Sequence, residues 1–245
     1  MADPSLNTLT NSIGHCDLTI FIPAYNEENN IEGAVLSVIK AMQQTSLEYE
    51  ILLLNAFSSD RTGRIADRIA QKDPRIRVIH RQRWYGLGAN YMEGVSQAKG
   101  EYFILFPGDN EIRGESLNRI LTCLGKTDIV IPYTENPEVR AIHRRLISKA
   151  FVMLLNVLFH LNLKYYNGNA LHKTTLLRRI SVRSEDFAYS AEILIKLIRS
   201  GYRYREIGMT IKPITNQTAI FNFRNIVGVM KTITRLFYEV RINGK

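Results

Sequence analysis

Short, nearly continuous apolar runs alternate along this chain with stretches in which apolar residues recur every three or four positions. The run Asp17 to Pro23 (DLTIFIP) predicts a strand, Ile31 to Met42 an amphipathic helix, and Tyr49 to Asn55 (YEILLLN) a second strand. Ser58-Ser59-Asp60 supplies N-cap chemistry for a helix over Thr62 to Lys72. Arg75 to His80 reads as a third strand, Gly86-Leu87-Gly88 opens a helix over Ala89 to Gln97, and Glu101 to Phe106 is a fourth strand. Strands alternating with helices at this spacing imply βαβ units and a mostly parallel sheet. Runs as unbroken as Ile51 to Leu54 suit strands covered on both faces, so the expected class is α/β with helices flanking a central sheet.

The rhythm then changes. Leu117 to Leu124 predicts a helix and Asp128 to Ile131 a strand; Arg140 to Leu163 predicts one or two helices with a basic start and an apolar end. Tyr165 to Asn169 is turn-like, Ala188 to Arg199 helical and Tyr202 to Ile207 a strand. From Asn225 to Arg241 the residues Ile226, Val229, Met230, Ile233, Leu236, Phe237 and Val240 fall at helical steps. With no repeat or low-complexity linker, one domain over 1–245 is expected: a flexible start over 1–16, a first half over 17–135 and an elaborated second half over 136–245.

Composition narrows the class. A 45% hydrophobic and 22% charged chain of 245 residues can bury a substantial core. Ala150 to Leu163, the longest strongly apolar stretch, is interrupted by Asn156, His160 and Asn162 and is shorter than the roughly 20 residues of a membrane span. Met1 to Cys16 lacks a secretory pattern, and Cys16 and Cys123 have neither redox nor metal spacing, so a cytoplasmic protein is expected. The net charge of +9 is concentrated: between Pro137 and Arg183 nine Lys or Arg face one acid, Glu138. Such a field attracts phosphates, whether of a nucleotide, a nucleic acid or an anionic lipid surface, or serves as a solvated helix face. No zinc-finger, RNA-binding aromatic or basic-zipper pattern accompanies it, which argues against nucleic acid. Self-association into a homo-oligomer stays open.

Candidate chemistry centres on Glu101 to Glu111 (EYFILFPGDNE). Pro107-Gly108 stops the strand and leaves Asp109 and Glu111 at its carboxyl end, the edge where open α/β sheets bind ligands. Two oxygen ligands this close suit a hard cation such as Mg²⁺ or Mn²⁺; the alternative is a solvated loop that caps the helix beginning near Gly114. The histidines (His15, His80, His143, His160 and His172) are dispersed and show no triad partners.

These motifs, in order, resemble family 2 glycosyltransferases of the GT-A fold: IPAYNEE, a strand ending in NAFSSDRT, a GLG turn and a strand ending in PGD. The second half is similar to the dolichol-phosphate mannose synthase and polyprenyl-phosphate branch. The resemblance implies an inverting, metal-assisted transfer of a hexose from a GDP- or UDP-sugar to a polyprenyl phosphate, by a peripheral protein on the inner membrane face. A soluble metabolite or glycan acceptor, or a binding module without catalysis, are the competing readings.

Carried over by position, the resemblance places Pro23, Tyr25, Asn26, Glu27, Asn55, Phe57, Gly88 and Asp109 around the nucleotide sugar. It places Asp109 and Glu111 on the metal, and Asp109 and Glu192 in catalysis; Glu192 reads equally as a helix-surface acid. Arg144 and Ser148, four apart on a helix, would share the acceptor phosphate. A second family arginine is replaced near Thr134, with Arg140 and Arg145 as its candidate substitutes, and Asn167-Gly168 matches positions near sugar and acceptor. The chain departs from the family pattern at Asn55, Ala56 and Pro107, where acids are usual, which implies relaxed discrimination between nucleobases. The apolar end of Ala150 to Leu163 and the last helix read either as interfacial surfaces or as core packing.

Overall fold

The computed structural model describes residues 15–212 and 223–242. Seven strands, β1 (Leu18–Ala24), β2 (Tyr49–Asn55), β3 (Ile76–His80), β4 (Tyr102–Leu105), β5 (Ile129–Thr134), β6 (Leu171–Lys173) and β7 (Tyr204–Met209), form one sheet in the order β3-β2-β1-β4-β6-β5-β7. Neighbours pair in parallel except β6, which runs antiparallel to both β4 and β5. Six strands therefore point the same way, and their carboxyl ends share one edge.

Among the described residues eight α-helices cover the sheet: α1 (Ile31–Met42), α2 (Thr62–Ala70), α3 (Leu87–Gln97), α4 (Gly114–Leu121), α5 (Ile142–Phe159), α6 (Thr174–Arg179), α7 (Tyr189–Arg199) and α8 (Phe223–Phe237). Alternation along the strands sends Ile20, Ile22, Ile51 and Leu53 into a core with α1, α2 and α4. Phe21, Leu52, Leu54 and Phe103 turn to the opposite core, against α3 and α5–α8. The α/β class with a mostly parallel sheet is as expected. Leu171–Lys173 and α6 were not foreseen: three strand residues are too short a run to register as a pattern, and they pair because the reversed strand fills the space between β4 and β5.

Two helices test the apolar stretches. Ile233 and Leu236 of α8 and Val240 of the π-helical turn after it are buried, so core packing accounts for much of the expected periodicity, whereas Met230 is exposed; Ile226 lies outside the residues whose side chains are described. In α5 only Leu155 and Phe159 are buried, while Ile142, Leu146, Met153 and Val157 are exposed, the last two at 67%. Core packing accounts for one face of α5 and leaves the other apolar and exposed. Among the described residues no helix is long and apolar enough to cross a membrane. Residues 1–14, where a flexible start is expected, lie outside the described residues.

Candidate active site

The order β3-β2-β1-β4 reverses direction between β1 and β4, and such a switch opens a crevice at the carboxyl edge. The loops after β2, β1 and β4 each carry a non-glycine residue with positive φ: Phe57 (+65°), Asn26 (+54°) and Asn110 (+57°). Backbone of this kind persists where surrounding bonds over-determine it. Asn26 donates its N–H to Ser58 Oγ (3.0 Å) and accepts from the Ser59 N–H (2.9 Å). The N–H groups of Glu27 and Glu28 reach Thr62 Oγ1 (2.8 Å) and Asp60 Oδ2 (3.1 Å). Asp60 also accepts from the Thr62 N–H (2.9 Å), though it stands one residue before the N-cap position, which Arg61 occupies without a side-chain cap. Asn55 accepts from the Ser58 N–H (3.1 Å) and touches His80 Nδ1 (3.2 Å), so its amide holds the β2 turn closed.

Three acids converge across the crevice. Burial raises the Asp109 carboxyl above its usual range, opposed by a hydrogen bond from the Glu111 N–H (3.0 Å) and by Lys212. Burial likewise raises Glu111, with Asp109 and Glu27 adding to the rise and Arg140 and Arg144 opposing it. Glu27 is raised by burial and by Asp109, while Asn30 donates to its Oε2 (2.8 Å). Lys212, absent from the sequence reading, donates Nζ to the Asn110 carbonyl (2.8 Å) and to Asn110 Oδ1 (2.9 Å). Its own N–H reaches the Glu111 carbonyl (2.9 Å), so the strand end after β7 straps the acidic turn. Gly108 lets that turn approach β1, since a Cβ there would stand 2.8 Å from the Pro23 carbonyl oxygen.

The donor set of Asp109 and Glu111 fits a hard divalent cation: two carboxylate ligands, both raised chiefly by burial and Glu111 further by Asp109, whose charge a cation would offset. Among the described residues no three His, Cys, Asp or Glu side chains gather in metal-holding geometry, so water or ligand oxygens would have to complete the shell.

Beyond Glu111 the field changes sign. A cavity of about 590 Å³ lies against α5, with Arg140, Arg144, Arg145 and Ser148 toward one part and Ile147, Phe151, Leu154 and Met230 toward another; Asn167 also lines it. Arg140 donates Nη1 to the Tyr165 hydroxyl (3.0 Å), yet its Nε is buried without a partner, and so is Thr134 Oγ1 at the end of β5. The structure thus brings the three arginines, the serine and the Thr134 position into one cavity.

Two expected site residues take other roles. Glu192 is fully buried rather than exposed. It accepts from Lys196 Nζ (2.6 Å), Arg235 Nη2 (3.0 Å), the Ser184 N–H (2.9 Å) and the Ser184 hydroxyl. Burial opposes ionisation, but Lys196 and Ser184 together hold its carboxyl below the usual range. A carboxylate so occupied has no lone pair left for a substrate, which corrects its placement in catalysis: it ties α7 and α8 to the 183–184 backbone. Gly88 is likewise corrected. It is buried, its N–H donates to the Glu185 carbonyl (3.4 Å), and a Cβ would collide with the Ser184 carbonyl, so it serves close backbone packing rather than a ligand.

Residues 19–184 match the model of the family described as Glycosyl transferase family 2. The chain is 30% identical over 142 residues to a dolichol-phosphate mannosyltransferase of Pyrococcus furiosus, covering 56% of this chain and 40% of that protein. It is 28% identical over 204 residues to an undecaprenyl-phosphate mannosyltransferase of Micrococcus luteus, covering 79% and 82%. The chain therefore spans less than half of the Pyrococcus protein and most of the Micrococcus one. Its fold is similar to that of glucosyl-3-phosphoglycerate synthase from Mycobacterium tuberculosis in complex with Mn²⁺, UDP-glucose and phosphoglyceric acid, with a TM-score of 0.68 at 14% identity over 91% of this chain and 79% of that one.

Proposed function

The chain belongs to glycosyl transferase family 2, and from that premise we propose that it moves a hexose from a GDP- or UDP-sugar to a polyprenyl phosphate presented at an anionic membrane surface. One observation carries the acceptor: the cavity against α5 joins a cationic corner, with buried donors still lacking partners, to an apolar wall that opens onto the exposed face of the same helix. A phosphate headgroup fits the first part and a hydrocarbon tail the second. The activities named for the Pyrococcus and Micrococcus relatives support this reading. Residues 17–135 then form the donor half and 136–245 the acceptor half of one domain.

In this reading the crevice at the carboxyl ends of β1, β2 and β4 takes the donor. Asp109 and Glu111 would hold Mg²⁺ or Mn²⁺, which when bound neutralises charge on the donor diphosphate. Arg144 and Ser148 hold the acceptor phosphate, with Arg140 and Thr134 as further donors. One phosphate oxygen forms a bond to the anomeric carbon as the bond from that carbon to the diphosphate breaks on the opposite face, which inverts the configuration. A phosphate monoester is already anionic, so no strong base is needed; positioning and charge neutralisation carry the step.

A second reading, a small soluble acceptor, draws on the same cationic corner, and the Mycobacterium structure holds phosphoglyceric acid. Binding separates the two. A short-chain prenyl phosphate should bind, and Arg144→Ala should weaken it about tenfold to a hundredfold, as expected for a charge-assisted contact. The protein should sediment with anionic vesicles at low salt and release as salt rises. Indifference to vesicles together with unchanged prenyl-phosphate binding in Arg144→Ala would leave the soluble acceptor as the better reading.

A further inference from the structure

Trp84 is the sole tryptophan of the chain and belongs to no motif of the sequence, yet it stands over the donor crevice with 53% of its surface exposed. It lies in the segment that follows β3, and its ring meets that of Tyr25, from the loop after β1, at 4.7 Å between centroids and 66° between planes. Since β2 separates those strands, the two rings bridge across the end of β2. There Ala56 stands where an acid is usual, and with Pro23 and Ala24 it lines a cavity of about 120 Å³ beneath the rings.

Polar side chains at this end are already engaged. The Asn55 amide closes the β2 turn, and Asn90, which lines the cavity, accepts from Arg81 Nε (3.1 Å) and donates to the Tyr85 carbonyl (3.4 Å). Few acceptors remain for the edge of a base. The segment carrying Trp84 is fixed from behind: Arg81 also donates to Glu93 (3.1 Å) and to the Ala89 carbonyl (3.2 Å). The guanidinium groups of Arg81 and Arg83 lie 4.3 and 5.0 Å from the Tyr85 ring centroid. A half-exposed indole at a ligand edge, braced by Tyr25 on one side, offers a planar face for contact.

We infer that Trp84, backed by Tyr25, is the platform on which the donor's nucleobase stacks, so that this chain reads its nucleotide by aromatic contact rather than by hydrogen bonds to the base edge. The inference rests on the donor site proposed above and adds the determinant of its selectivity. Stacking is tolerant of base identity because every base has a π-face. GDP and UDP should therefore bind with affinities within about tenfold of each other, and Trp84 should matter alike to both.

The lone tryptophan makes the test direct. In the full chain with Mn²⁺, GDP and UDP should each change the intrinsic fluorescence saturably, and inorganic diphosphate should not. By calorimetry Trp84→Ala should weaken both nucleotides about tenfold or more, in the range that alanine substitution removes from a base–aromatic stack. The same variant should leave diphosphate binding unchanged, and Trp84→Phe should restore most of the nucleotide affinity. If both nucleotides bind wild type without a fluorescence change and bind Trp84→Ala equally well, the stacking role is wrong while the donor site stands. If Trp84→Ala weakens diphosphate as much as nucleotides, the residue supports the fold of the loop and the inference fails. If neither nucleotide binds wild type at all, the donor site and the inference fall together.

Discussion

Around the donor crevice most polar side chains are engaged with one another, whereas in the cavity against α5 buried donors remain without partners. Asn26, Asn55, Asp60 and Asn110 are each held by hydrogen bonds, and among the three acids burial raises all while Asp109 further raises Glu27 and Glu111. Across Glu111, Arg140 Nε and Thr134 Oγ1 are buried and unmatched beside apolar side chains of α5. The first region is shaped by backbone geometry at the ends of parallel strands; the second is shaped by side chains of one exposed helix. Substitutions should accordingly act on the donor through turn geometry and on the acceptor through charge.

The largest effect should come from the residue that braces both regions. Glu192 holds Ser184, whose carbonyl packs against Gly88 on the donor side, and Arg235 of α8, the helix whose Met230 reaches the acceptor cavity. Glu192→Gln leaves two partly buried cations short of a counter-charge. Glu239 also contacts Lys196 (3.3 Å) and Arg235 (3.8 Å), so the loss should sit near the low end for a broken buried pair, about 3 kcal/mol in a denaturant titration. Its folded-state pKa is depressed, so this stabilisation is present above the unfolded value and is lost as pH falls below the ordinary glutamate range. The variant should lack that part of the acid limb. A variant as stable as wild type but without transfer activity would return Glu192 to catalysis.

Next in size, Asp109→Ala should reduce Mn²⁺-dependent nucleotide binding by about a hundredfold or more, near 2.7 kcal/mol, with the fold intact by circular dichroism. Unchanged affinity would remove Asp109 from the donor site. Smaller still is the strap: Lys212→Ala removes two hydrogen bonds to Asn110, and at about 0.5–1.5 kcal/mol net it should weaken nucleotide binding roughly threefold to tenfold. Arginine at that position should recover part of the loss, and prenyl-phosphate binding should not move.

The alternation of strands and helices from Leu18 to Leu105, the acidic turn and the Arg144–Ser148 pair were legible because each is a local pattern with a local cause. What escaped was set by distant parts of the chain. Lys212 reaches Asn110 across a hundred residues, and Trp84 meets Tyr25 through the order of strands in the sheet. The burial of Glu192 did leave a trace: Ala191, Ile193, Leu194, Ile195 and Leu197 make α7 apolar on nearly all sides, which leaves an acid no wet face. Leu171–Lys173 left none, since three residues carry no period.

The most direct measurement follows labelled hexose from GDP- and UDP-sugars, with Mn²⁺, into a panel of short-chain prenyl phosphates and small soluble phosphates, for wild type and Arg144→Ala. The expected result is label in the prenyl-phosphate fraction, reduced about tenfold to a hundredfold by Arg144→Ala, while nucleotide affinity stays within about twofold of wild type. Label in soluble phosphates alone, or equal transfer to prenyl phosphate by both proteins, would contradict the assignment of the cavity against α5 to a lipid-linked acceptor.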